Sequence, residues 1–213
     1  MSFASESVVN ALSDITANAP PRIDPAAALE RIRRTRPPGS DVWVFAYASL
    51  IWRPAFDADE QRTATVFGWH RALEMRSRVN RGTPERPGLV FALVGGGSCR
   101  GIACRIAAER VDAELQQLWL REMPNGVYEP RWLACRTPQG AVRALGFTLH
   151  RQSPQFVGPL ADEQMLDILR SACGRYGSTL DYLLQTAESL RRRGIRDREI
   201  ERLVALARQH ALA

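Results

Sequence analysis

Glu122 is the residue whose type and place point most directly to chemistry. It ends the segment ERVDAELQQLWLRE (109–122), in which Val111, Leu115, Leu118 and Trp119 recur at helical spacing. Glu122 follows Leu118 by four residues, Leu115 by seven and Val111 by eleven, so it prolongs the same apolar stripe. A carboxylate turned toward a core is costly unless paired or protonated, and a raised pKa suits proton transfer near neutrality. The same spacing also fits a frayed last turn, with the carboxylate bent to water or bound to a cation.

Other reactive residue types carry weaker patterns. Ser49 lacks a Gly-x-Ser-x-Gly elbow and has no histidine placed as its base. His70, His150 and His210 show no metal-ligand spacing, and the four cysteines (99, 104, 135 and 173) form no C-x-x-C pair. The triplet GGG at 95–97 joins two strand-like runs without the lysine of a phosphate loop, and reads as a hairpin turn. A strand running into Tyr47-Ala48-Ser49-Leu50 is more suggestive, because a tight turn there would present consecutive backbone N–H groups to a carboxylate or an oxyanion. A plain structural turn is the other reading. Arg81-Gly82-Thr83-Pro84 is a basic, proline-punctuated loop whose simplest role is structural.

The elements that must position these residues follow from periodicity and breakers. Asp24 caps a predicted helix that begins at Pro25 and stops before RPPGSD. SESVVNALSDI, upstream, reads as a short helix in an N-terminal extension spanning 1–40. VWVFAY (42–47) reads as a buried strand, 63–77 as one strand or a pair, LVFALV (89–94) and CRGIACRI (99–106) as separate strands. RWLACR, TPQG and AVRALGFTLH read as strand, turn and strand. After residue 160 three leucine-striped helical segments follow. Short strands around one helix, then a helical C-terminal third, predict α+β with a mixed or barrel-like sheet.

Composition narrows the classes. The 213 residues are 45% hydrophobic and 24% charged, enough for one sizeable domain. The formal charge of +6 rests on arginine, since the chain has no lysine, with clusters at Arg31–Arg36 and Arg191–Arg198. No helix-turn-helix, zinc finger or aromatic-interleaved basic strand accompanies these clusters, so they read as solvated surface; neither nucleic acid nor a membrane is expected as a partner. The N-terminal residues lack a basic start followed by an apolar core, and unpaired thiols suit a cytoplasmic location.

Taken in order over about residues 41–195, these segments resemble the ChaC-like gamma-glutamylcyclotransferases, the glutathione-specific branch. VFAYASLIW (44–52) is similar to that family's strand running into Tyr-Gly-Ser-Leu-Ile-Trp. HRALEMRSRVNRGTPERPGLV (70–90) matches its arginine-bearing strand and Arg-Gly-Thr/Val-Pro loop, and GGGSCRGIACRI its next strand. LWLREMPNGVY (118–128) matches the helix end that carries the family's catalytic glutamate, here Glu122, and its loop tyrosine, here Tyr128. FVGPLADEQMLDIL and CGRYGSTLDYLLQTAESL match two later signatures, the second bearing Tyr182.

The resemblance implies a gamma-glutamylcyclotransferase-like small mixed β-barrel with surrounding helices, occupying 41–213. It implies an enzyme, a lyase, that converts glutathione to 5-oxoproline and Cys-Gly by attack of the glutamyl α-amine on its own γ-carbonyl. The nucleophile is then part of the small-molecule substrate, and no metal or organic cofactor is required. Glu122 would move the protons. Tyr47, Ala48, Ser49 and Leu50 would bind substrate through the turn, with Arg81, Tyr128 and Tyr182 as further binding residues. The chain departs from the family pattern at Ala46 and Ala48, where glycines stand in the signature, and at Ala72 and Leu89. A glycine in a ligand loop can permit positive φ or close approach, so Ala48 leaves open a weakened or purely ligand-binding site, besides activity on another gamma-glutamyl amide or amine.

Overall fold

The computed structural model describes residues 23–213; the predicted helix SESVVNALSDI lies outside them. Helix α1 (Pro25–Thr35) begins as its sequence dictates, with Asp24 accepting from Ala26 N–H at 2.9 Å and proline in the first turn. It is tied to the rest of the chain by Arg31 Nη2 donating to Pro130 O at 3.1 Å and Trp119 Nε1 donating to Pro25 O at 2.7 Å.

Strand β1 (Val42–Ala46) is a short apolar run whose Val44, Phe45 and Ala46 are wholly buried. It passes directly into helix α2 (Ser49–Trp52), a single turn where the sequence predicts a turn. Strands β2 (Glu60–Ser77) and β3 (Gly88–Ile106) then form one long antiparallel ribbon, paired from Glu60 opposite Arg105 to Ser77 opposite Gly88. The predicted hairpin at GGGS is therefore wrong: β3 runs through it unbroken. The register instead shifts between Phe67 and Trp69, and Gly68, Gly96 and Gly97 take φ of +80°, +108° and +68° around that bulge. Clustered glycines signal a left-handed backbone, which a bulge needs as much as a turn does.

Helix α3 (Val111–Glu122) follows, then the hairpin of β4 (Glu129–Thr137) and β5 (Gly140–Leu149). The sheet closes in the order β1-β3-β2-β4-β5, with β5 returning to pair in parallel with β1 at Trp43–Ala144. β5 also pairs in parallel with β3 at Leu93–Thr148, and the other pairings are antiparallel, so the sheet is mixed, as predicted. Closure leaves no free edge and buries β1 on both faces. Leu115 and Leu118 of α3 are wholly buried, and the Trp119 ring packs edge-on against Phe147 of β5 at 5.5 Å.

The C-terminal third is helical: α4 (Asp162–Ser171), α5 (Thr179–Arg192) and α6 (Arg198–Gln209), with a two-stranded turn of β6 (Cys173–Gly174) and β7 (Gly177–Ser178) before α5. Ser178 and Asp181 form a reciprocal capping box at the start of α5, and Asp197 caps α6. Helix α5 is joined to the barrel by Leu89 N–H donating to Thr179 Oγ1 at 3.0 Å and to α2 by Trp52 Nε1 donating to Thr186 Oγ1 at 3.2 Å. Among the described residues no helix is long and apolar enough to cross a membrane.

Candidate active site

The end of α3, the turn after β1, one face of α5 and two strand phenylalanines line a narrow cleft. Its wall is Tyr47, Ala48, Ser49, Leu50, Phe91, Glu122, Tyr128, Phe147 and Tyr182. Seven of the eight residues picked from the sequence therefore meet in one place; Arg81 is the exception.

Glu122 is the last residue of α3, and packing of Leu115 and Leu118 fixes the face on which it emerges. Its side chain is only 14% exposed, and Arg121 Nε lies 3.1 Å from its Oε1. Burial raises the carboxyl pKa above the ordinary value, while the Arg121 charge and hydrogen bond partly oppose that rise. Both sequence readings thus hold in part: the carboxylate is on the apolar stripe and is also paired.

Three phenols share the cavity. Burial, then the neighbouring tyrosines and Glu122, hold Tyr47 and Tyr128 well above the usual phenol range; Tyr182 is pushed up to about 12, chiefly by burial. All three remain neutral donors at physiological pH. The Tyr47 hydroxyl donates to Phe147 O at 3.0 Å, which locks its ring against the barrel. Tyr182 packs between Trp52 and Phe91, at centroid distances of 6.0 and 5.6 Å.

The turn itself is held from behind. Ile51 N–H donates to Ala48 O at 2.9 Å and Arg53 N–H to Ser49 O at 2.7 Å. Ser49 and Leu50 open α2, so their N–H groups have no acceptor within the helix. Ala48 has φ −144° and ψ −119°, and the positive-φ non-glycine residue among those described is Ala211. The alanines at 46 and 48 therefore bring no left-handed strain; Ala48 is instead part of the cleft wall. Behind Tyr47, buried Arg71 donates through Nε to the Tyr47 carbonyl, through Nη2 to Arg100 O at 2.5 Å, and through Nη1 to Asp197, the α6 cap.

Arg81 does not line the cleft. It is 5% exposed, donates through Nη1 to Ser178 O at 3.3 Å, and stands 5.0 Å from the Tyr182 ring centroid. Burial lowers its pKa.

Four contributors escape sequence reasoning. Phe91 and Phe147 read only as strand core. Arg71 reads as the arginine of the family's strand with no role attached, and Arg121 only as part of the helix end that carries Glu122. Arg121 in fact donates through Nη2 to Ser49 Oγ at 3.0 Å and through Nη1 to the Arg53 carbonyl, so it joins the helix end to the turn. No periodicity could have announced a contact between residues so distant in the chain.

The model of the family described as ChaC-like protein matches residues 42–210. The chain is 35% identical over 173 residues to the glutathione-specific gamma-glutamylcyclotransferase of Escherichia coli (strain K12), covering 81% of this chain and 75% of that protein. It is 30% identical over 152 residues to the glutathione-specific gamma-glutamylcyclotransferase 1 of Homo sapiens, covering 69% and 68% of the two chains. In fold it is similar to the crystal structure of the glutathione-specific gamma-glutamyl cyclotransferase from yeast, with TM-score 0.71 at 20% identity, over 80% of this chain and 96% of that one.

Proposed function

The chain belongs to the ChaC-like protein family, and from that premise we propose that it is a glutathione-specific gamma-glutamylcyclotransferase, converting glutathione to 5-oxoproline and Cys-Gly. The observation that carries the reading is a buried carboxylate of raised pKa, Glu122, set in a cleft opposite a turn with free N–H groups.

In this mechanism the glutamyl half of the substrate folds back in the cleft. The N–H groups of Ser49 and Leu50 hold its α-carboxylate and help stabilise the oxyanion that forms on the γ-carbonyl oxygen. Ionised Glu122 takes a proton from the α-ammonium, and the freed amine attacks the γ-carbonyl carbon. The new C–N bond closes the lactam, and the amide C–N bond to cysteine breaks. The substrate ammonium gives up two protons in becoming a lactam N–H, and the departing nitrogen takes up two in becoming an ammonium. Glu122 shuttles them, so no water is consumed. Tyr128 and Tyr182, both neutral, orient the carboxylate and close the cavity against solvent. Arg81 packs against the Tyr182 ring.

The same reading takes 41–213 as the gamma-glutamylcyclotransferase-like domain and 1–40 as an extension joined to it through α1. It places the protein in the cytoplasm, a location supported by four cysteines that are all free, three of them buried.

The test is incubation with reduced glutathione, measuring 5-oxoproline and Cys-Gly together, beside Glu122→Gln. Equal amounts of both products from the parent alone are expected. Turnover of another gamma-glutamyl amide with glutathione untouched would overturn the substrate; an undiminished kcat in the variant would overturn the role of Glu122.

A further inference from the structure

Next to the cleft lies a charged feature that proton transfer at Glu122 does not use. Arg81 is nearly buried yet has no carboxylate at ion-pair distance among the described residues. Asp181, the acid that acts on it, is engaged with Ser178 N–H at 3.1 Å. A buried guanidinium without a counter-ion is costly, and the cost persists only where something offsets it. Two more guanidiniums stand close by. Arg53 and Arg175 lie 4.6 and 4.5 Å from the ring centroid of Tyr176, a tyrosine that is 41% exposed. Neither forms an ion pair among the described residues.

This cluster is built rather than incidental. Arg175 N–H donates to Val79 O at 2.8 Å and Tyr176 N–H to Asn80 O at 2.9 Å, clasping the β6–β7 turn to the β2–β3 loop. The contact is tight enough that a Cβ on Gly174 would fall 2.5 Å from Gly82 N. It also adjoins the cleft: Tyr182 lines the cavity and has Arg81 5.0 Å from its ring centroid, while Arg53 directly follows Trp52, whose ring packs on Tyr182.

We infer that Arg53 and Arg175, both at the Tyr176 ring, together with Arg81 beside Tyr182, form an outer subsite for the terminal carboxylate of the leaving dipeptide. This rests on the reading of the cleft as the gamma-glutamyl site. Two extended residues carry that carboxylate about 7 Å beyond the reacting carbonyl, out of the inner cavity and onto its rim. There a fork of guanidiniums on an aromatic platform suits it in charge and in geometry. The subsite makes the chain prefer a gamma-glutamyl peptide with a free C-terminus over a gamma-glutamyl amine or a capped peptide.

The experiment measures binding by calorimetry in the Glu122→Gln protein, which leaves substrate intact, using glutathione and its glycine amide. Glutathione is expected to bind about tenfold more tightly than the amide, and Arg53→Gln with Arg175→Gln to bring that preference below roughly threefold. Both arginines are exposed, so the substitutions leave the core untouched. Arg34→Gln with Arg208→Gln, exposed positions outside the cleft wall, makes the same charge change and should leave the preference intact. Equal binding of acid and amide, a preference that survives loss of Arg53 and Arg175, or no binding of either would overturn the subsite. Parent turnover separates the two readings. Preferential binding without 5-oxoproline overturns the reaction and not the subsite; 5-oxoproline formed with equal kcat/KM from acid and amide overturns the subsite alone.

Discussion

Arg121 donates to Ser49 Oγ at 3.0 Å while its Nε stands 3.1 Å from Glu122, so one guanidinium sets both the position of the turn and the charge of the carboxylate. Substituting Arg121 by Gln removes the cation that holds the Glu122 pKa down and leaves burial unopposed. Ionised Glu122 is the base, so the acid limb of the kcat/KM–pH profile should move to higher pH. The plateau should also fall, because the turn loses its tether to α3. The pH–rate profile decides this: a lower plateau with an unmoved acid limb would make Arg121 a mechanical tie alone.

Glu122→Gln tests chemistry and linkage together. The folded-state pKa is raised, so the stability Glu122 contributes is fully present below its unfolded pKa and lost as pH rises through the folded one. The neutral amide escapes that loss. Thermal unfolding should therefore show Glu122→Gln stabilised relative to the parent at pH 8 and not at pH 4. Over the same range its kcat should be lower by about a hundredfold or more, the ordinary share of a general acid–base group. A Tm difference that does not vary with pH would contradict the raised pKa.

These two residues also mark how far sequence reading reaches. The barrel, the closing helix and the convergence of Glu122, Tyr47, Tyr128 and Tyr182 were legible because apolar periodicity and the ordered motifs are local properties of the chain. The bulge at Gly96–Gly97 was mistaken for a hairpin because both structures need left-handed glycines, and only the pairing partner distinguishes them. The roles of Arg121 and Arg71 were not legible for a different reason. Their roles lie in contacts across 72 and 24 residues of chain, and an arginine at a strand or helix position carries the same local signal whether it meets water or a carbonyl.

Arg71 carries the largest expected effect on stability. Its side chain is 1% exposed and satisfies the Tyr47 and Arg100 carbonyls as well as Asp197. Arg71→Leu leaves those acceptors bare and Asp197 unpaired, and breaking a buried pair this way costs about 3–5 kcal/mol. Urea unfolding should show that loss, with Asp197→Asn milder because its carboxylate is partly exposed. If Arg71→Leu unfolds within 1 kcal/mol of the parent, about the worth of one ordinary hydrogen bond, the brace behind the turn is dispensable.

Ala48→Gly separates two consequences of the departure in the turn. The backbone at Ala48 has φ −144°, so the glycine relieves no left-handed strain. Ala48 is part of the cleft wall, and removing its methyl is expected to widen the space beside the Ser49 and Leu50 N–H groups. KM for glutathione should therefore fall with kcat unchanged, because ground state and transition state gain alike from easier access to those donors. A rise in kcat with KM unchanged would place the methyl against the developing oxyanion instead. An unchanged or lower kcat/KM would mean that the alanine sits in the turn without affecting it.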